Sequence, residues 1–280
     1  MSQELFCYQN EKIVPASELY VSPWDLGFLR GYGVFDVMAV MNGRPFLLDW
    51  HFERLVHSAE ALSLQLPVSK AEYATLIEKI IQANVGTDII IRTVLSGGIS
   101  ADAFCREEGK ENFLILAEPF VPLSASLYTD GAKVMTLTHT RSLPRVKMTQ
   151  YVMAIRSLKQ RQDVGALETL YVENGKISEC AQSNFFIVKD GEIITTTDNA
   201  LLGITQKLVC EVLVPALGLP LHIRALTYAE VLEADEAFLT GSNKHIVPVV
   251  RVDDSVIGDG KPGPLTRQLM ENYRVYQEKY

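Results

Sequence analysis

No apolar run in the 280 residues approaches the roughly 20 residues that a membrane-spanning helix needs, so no membrane partner is expected. Positive charge is also scarce. Lys and Arg number 26 against 34 Asp and Glu, for a net charge of −8. Nothing supplies the basic stripe that a phosphate backbone requires, which excludes a nucleic-acid partner. Cysteine is limited to Cys7, Cys105, Cys180 and Cys210, with no CxxC pair and no histidine at ligand spacing. That pattern predicts no metal centre and points to free thiols in a reducing cytoplasm. A GxGxxG opening a helix after a strand is missing, so a dinucleotide fold has little support. The opening MSQELFCYQNEK has neither a basic start nor an apolar stretch, so no secretory signal is expected. Internal repeats and low-complexity segments are absent as well.

What is present is enough apolar residue, 48%, to bury a sizeable core. The length suggests one large or two medium domains. Val34 to Val40 is an extended apolar run, Asn42-Gly43 a turn, and Phe46-Leu47-Leu48 a return, which predicts a hairpin. Helical spacing marks 52–64 and 70–85, and strands are predicted at 89–95 and 113–117. Two prolines in Glu118-Pro119-Phe120-Val121-Pro122 make a stiff connector. A small domain over 1–118, a linker over 119–127 and a larger domain over 128–280 follow. In the second domain a helix is predicted from about Thr149 to Gln162 and another from Thr205 to about Leu217. Asn174-Gly175 and Asp190-Gly191 signal hairpins. Strands interspersed with helices and joined by hairpins indicate an α+β fold.

Five features could carry chemistry, and each alone has an ordinary structural reading. Lys147 stands near Arg145, a cationic neighbour of the kind that activates an amine, but a lone lysine is usually a solvated charge. Glu179, in Ile177-Ser178-Glu179, could hold a ring nitrogen protonated, or could be a turn carboxylate. Leu201-Leu202-Gly203-Ile204-Thr205 opens a helix whose amides suit a phosphate, or is simply a capped helix. Thr240-Gly241-Ser242-Asn243 ends a strand with small hydroxyl residues, and could be a plain polar turn. Arg54 offers a fork for phosphate, or is a surface helix arginine.

The order of these features resembles the class IV, or fold type IV, pyridoxal-phosphate enzymes. These include branched-chain aminotransferases, D-amino acid aminotransferases and aminodeoxychorismate lyase. The resemblance runs from about Leu26 to beyond Pro248 and implies a two-domain fold, a homodimer and an active site shared between subunits. It implies that Lys147 holds pyridoxal 5′-phosphate as a Schiff base and shuttles the substrate α-proton. By the same resemblance, Glu179 pairs with the pyridine nitrogen and Tyr151 bonds the ring hydroxyl one helical turn past the lysine. Leu202 lies against the ring, and Arg54, Ile204, Thr205 and Ser242 hold the phosphate. The substrates implied are amino acids and 2-oxo acids.

Substrate class is read from departures. The branched-chain pattern has Gly-x-Arg where this chain has Val37-Met38-Ala39, and the Arg-x-His pair of known bacterial D-amino acid enzymes is absent from 96–102. Arg92 interrupts an apolar strand and needs an anionic partner, because an unpaired buried charge is costly. Arg30 sits among glycines and aromatics. Arg92 and a partner subunit's Arg30 are therefore expected to trap a substrate carboxylate in a D-amino acid aminotransferase. Arg106, Arg141 and His139 are further candidates near the substrate.

Overall fold

The computed structural model describes residues 4–86 and 88–280. These form two compact units. One takes the described residues up to Val121 together with Val146–Tyr151, and the other takes Pro122–Arg145 with Val152–Tyr280.

The first unit is an antiparallel sheet of β1 (Phe6–Gln9), β2 (Lys12–Pro15), β3 (Gly33–Met41), β4 (Arg44–Pro45), β5 (Ile89–Ser96) and β6 (Asn112–Pro119), ordered β2-β1-β6-β5-β3-β4. Asn42 and Gly43 have φ of 51° and 73°, the conformation a tight β3–β4 hairpin requires. Three helices accompany the sheet: α1 (Leu26–Arg30), α2 (Leu48–Ala61) and α3 (Lys70–Ala83). α2 buries His51, Phe52, Leu55, Ser58 and Ala59, one face at three- and four-residue spacing. α3 opens with a capping box in which Ser69 and Glu72 each accept the other's backbone N–H. Val34, Met38, Leu55, Ile77, Ile91 and Ile115 lie in its core.

Residues 146–151 depart from the expected boundary, which placed them within 128–280. Val146 is 4% exposed in the first unit's core. Phe35 N–H donates to Lys147 O at 2.9 Å and Thr149 N–H to Gly33 O at 3.0 Å, so the segment pairs antiparallel with β3. That pairing also corrects the predicted helix. A backbone paired with a strand cannot begin a helix at Thr149. Helix starts only at Val152, runs to Arg156, and resumes over Leu158–Asp163. Tyr151 is therefore not a helical turn beyond Lys147.

The second unit is built on a ten-stranded mixed sheet. Its strands are β7 (Ala132–Thr138), β8 (Glu168–Glu173), β9 (Lys176–Cys180), β10 (Asn184–Lys189), β11 (Glu192–Thr195), β12 (Leu221–Ile223), β13 (Leu226–Thr227), β14 (Glu236–Gly241), β15 (His245–Val252) and β16 (Ser255–Val256). The order is β12-β11-β10-β14-β15-β7-β8-β9-β13, with β16 on β15. β8–β9 and β10–β11 turn at Asn174-Gly175 and Asp190-Gly191, all four residues at positive φ. A helical run starts at Ile204, widens to a π turn over Val209–Leu213 and stops before Gly218, whose φ is 64°. Phe185, Ile187, Ala237, Leu239 and Val247 lie in this unit's core. Mixed pairing with hairpins makes the chain α+β, as expected.

Candidate active site

Lys147 is half-buried, with its Nζ 4.7 Å from the centroid of the Phe35 ring. A cation over an aromatic face is attracted by the ring quadrupole. The Lys147 amide donates to Ser58 Oγ at 3.1 Å, which fixes the backbone beneath the amine. Tyr151 meets the same Phe35 ring edge-on, centroids 5.6 Å apart.

Arg54 lies on the same face of α2 as Ser58. Its Nε donates to Asp36 Oδ2 at 2.7 Å and its Nη2 to Asp36 Oδ1 at 2.9 Å. His51 Nδ1 is 2.6 Å from Asp36 Oδ1. Asp36 and His51 are each 2% exposed. Burial pushes the Asp36 carboxyl up, but Arg54 and His51 together hold it below the usual carboxylate range. Burial is also the largest influence on His51 and keeps the imidazole below its ordinary value, despite Asp36. Asp36 and His51 were missed in the sequence. Their signals were an aspartate inside an apolar strand, and a histidine three residues before Arg54 on one helix face.

Arg92 has the anion that its strand position demanded, and the anion is Glu118. Arg92 Nε donates to Glu118 Oε1 and Nη2 to Glu118 Oε2 at 3.0 Å. The edge formed by Nε and Nη2 thus faces Glu118, the anion that the strand position called for. Arg30 is exposed at the end of α1, and its Nη1 donates to Leu29 O at 3.1 Å.

In the second unit Glu179 is 5% exposed on β9. Its Oε1 accepts from Arg141 Nη1 at 2.8 Å and its Oε2 from the Leu201 amide at 3.0 Å. Arg141 also donates to Pro144 O at 3.2 Å. A carboxylate held at both oxygens by a cation and an amide keeps its direction. Arg141, one of the further candidates, thus has a defined contact 38 residues away in the chain.

Ile204 and Thr205, 5% and 4% exposed, open the helical run after Gly203. A Cβ on Gly203 would lie 1.9 Å from Asn184 Oδ1, so only glycine fits there. Asn184 Nδ2 donates to Leu201 O at 2.8 Å, which ties the approach of this helix to β10. Leu202 is 51% exposed, and Ser242 is half-buried in the turn after β14. Burial pushes Cys210 up to about 12, and Cys7 and Cys180 are also raised, chiefly by burial. Among the described residues no group of histidine, cysteine or carboxylate side chains could hold a metal ion, and no helix is long and apolar enough to cross a membrane.

The donor set suits pyridoxal 5′-phosphate. The first unit offers a half-buried amine, and the second, taken by itself, offers a carboxylate fixed at both oxygens, of the kind that suits a pyridine nitrogen, and a glycine-led helix start with a hydroxyl, of the kind that suits a phosphate. The comparisons agree. The family model described as amino-transferase class IV matches residues 33–252. A D-alanine aminotransferase of Listeria innocua is 29% identical, over 95% of this chain and 93% of its own length. An aminodeoxychorismate lyase of Bacillus subtilis is 30% identical, with the same coverage of 95% and 93%. The crystal structure of Escherichia coli branched-chain amino acid aminotransferase superposes with a TM-score of 0.89 at 25% identity, over 96% of this chain and 93% of that one. The chain belongs to the class IV aminotransferase family and is a pyridoxal-phosphate-dependent transaminase.

Proposed function

We propose that this transaminase takes its amino group from a D-amino acid and delivers it to a 2-oxo acid such as 2-oxoglutarate. The observation that carries the choice of donor is Ala39. The branched-chain pattern has an arginine there, whereas this chain has a small apolar residue 2% exposed within β3. The similarity to a branched-chain structure keeps L-amino acids of that class as the second reading.

The bound cofactor supplies an electron sink through its protonated ring nitrogen. Glu179 keeps that proton in place, because Arg141 and the Leu201 amide prevent its carboxylate from turning away. Lys147 Nζ would hold the cofactor and would serve as the base that takes the substrate α-proton and passes a proton onward to complete the transfer. Ser58 holds the lysine backbone while Nζ moves, and the Phe35 face gives the charged amine a resting place. Arg54 binds the phosphate with its guanidinium plane set by Asp36, and the Ile204 amide, Thr205 and Ser242 complete that grip. Tyr151 bonds the ring hydroxyl, and Leu202 covers the ring. Arg30 remains the arginine for a substrate carboxylate, contributed from the partner of a homodimer. Four free thiols support a cytoplasmic location.

Two half-reactions sharing one site give ping-pong kinetics. The test adds paired D- and L-amino acids to the yellow enzyme without an acceptor and follows the loss of cofactor absorbance. Loss with D-amino acids alone supports the proposal. Loss with branched-chain L-amino acids alone transfers the enzyme to the second reading, and continuous pyruvate release from aminodeoxychorismate would mark a lyase.

A further inference from the structure

The turn that carries Ser242 is anchored by a charge in an unexpected place. Lys244, between β14 and β15, is 5% exposed. Its ammonium points inward and donates to three acceptors: Glu168 Oε1, Gln182 Oε1 at 3.3 Å and Ser183 Oγ at 3.3 Å. Glu168 is 0% exposed and also accepts from Ser183 Oγ at 2.9 Å. Arg161 Nη1 lies 3.9 Å from the other Glu168 oxygen.

The backbone of Lys244 is clamped as firmly as its side chain. Its amide donates to Gly241 O at 3.1 Å, closing the turn, and its carbonyl accepts from Tyr128 OH at 3.0 Å. His245 follows with φ of 60°, a left-handed conformation that a side chain adopts only where its surroundings impose it. The inward anchors are placed with equal care. Gln182 and Ser183 belong to the bend that follows Glu179, and that bend is closed by Cys180 N–H donating to Ser183 O at 2.7 Å.

A buried ammonium–carboxylate pair gives little net stability, because desolvation offsets most of the attraction. A methionine would fill the same space without that cost. What the charged pair adds is a fixed direction for the backbone that bears it. We propose that Lys244 is a positioning residue that sets the Gly241-Ser242-Asn243 turn to receive a phosphate ester. This rests on the reading that Ser242 holds the cofactor phosphate. Lys244 itself contacts no phosphate. It acts through the turn, and it ties that turn to the segment carrying Glu179.

The test compares pyridoxal 5′-phosphate with pyridoxal, which lacks the phosphate. Each is titrated into the full chain, and dissociation constants are read from absorbance. Lys244→Met alone strands a buried carboxylate, so the main variant is Glu168→Gln with Lys244→Met, which removes both charges. Tyr128→Phe, which releases only the Lys244 carbonyl, is the second. In the double variant, binding of pyridoxal 5′-phosphate should weaken about tenfold or more, while pyridoxal binding stays within about twofold. Tyr128→Phe should show the same selectivity with a smaller loss. Unchanged binding of both aldehydes, or equal weakening of both, overturns the proposal. A parent chain that binds neither aldehyde overturns the cofactor reading itself, and that result is visible before any variant is made.

Discussion

Arg92 and Arg30 illustrate how one residue type acquires different work from its neighbours. Arg92 stands opposite Leu116 in the β5–β6 register, which places Glu118 two residues along on the same face. That diagonal spacing lets an arginine reach a glutamate. With both side chains 32% exposed, the pair is screened and contributes only about 0.2–1 kcal/mol. Arg92→Ala should therefore leave the Michaelis constants for amino and keto acids unchanged, with a small drop in melting temperature. Arg30→Ala should raise both constants about tenfold, the loss expected for a charge-assisted hydrogen bond. Steady-state kinetics with each substrate varied in turn checks both. The need of Arg92 for an anion was legible in the sequence, since a charge within Ile89-Ile90-Ile91 requires one. That the anion belongs to the protein was not, because Glu118 comes close only through strand pairing. Arg141 on Glu179 was hidden for the same reason.

Elements were legible where the signal was local. Asn-Gly and Asp-Gly turns fixed three hairpins, because positive φ at both positions is a property of those residues themselves. The helix over 149–162 was misread at its start because local spacing does not reveal a long-range partner. Val152 and Ile155 repeat at helical spacing, yet they are 64% and 69% exposed, while Met148 is paired with Val34 on β3. The helical run after Gly203 gives the element-scale prediction. Gly203→Ala forces a methyl against Asn184, whose amide holds Leu201 O. Overpacking of this kind costs about 1–3 kcal/mol. Thermal unfolding should show that loss, and cofactor titration should show weaker binding from the displaced helix start. An unchanged affinity would separate this glycine from the phosphate grip.

Three of the described histidines have a pKa lowered chiefly by burial, His51 in the first unit and His139 and His245 in the second. Each has its folded pKa below the ordinary 6.5. Below that value the unfolded chain binds protons that the folded chain refuses. Their contribution to stability is thus complete above about pH 6.5 and is lost as pH falls toward the depressed values. Asp36 adds a second decline, beginning near its ordinary value of 3.8 and continuing below it, as its carboxylate gives up Arg54 and His51. Melting temperature should be level between about pH 7 and 8 and fall progressively below about 6.5. A melting temperature that rises on acidification would contradict the lowering of these imidazoles by burial.

Lys147 joins these scales. It is one residue, on a segment paired with β3, in a chain whose family transfers amino groups. Borohydride reduction of the cofactor-loaded protein, followed by peptide mapping, locates the lysine that binds the cofactor. The account predicts the added mass on Lys147 alone, and its absence from the Lys147→Ala variant. Label on Lys244, Lys207 or any other lysine, with Lys147 unmodified, would contradict it.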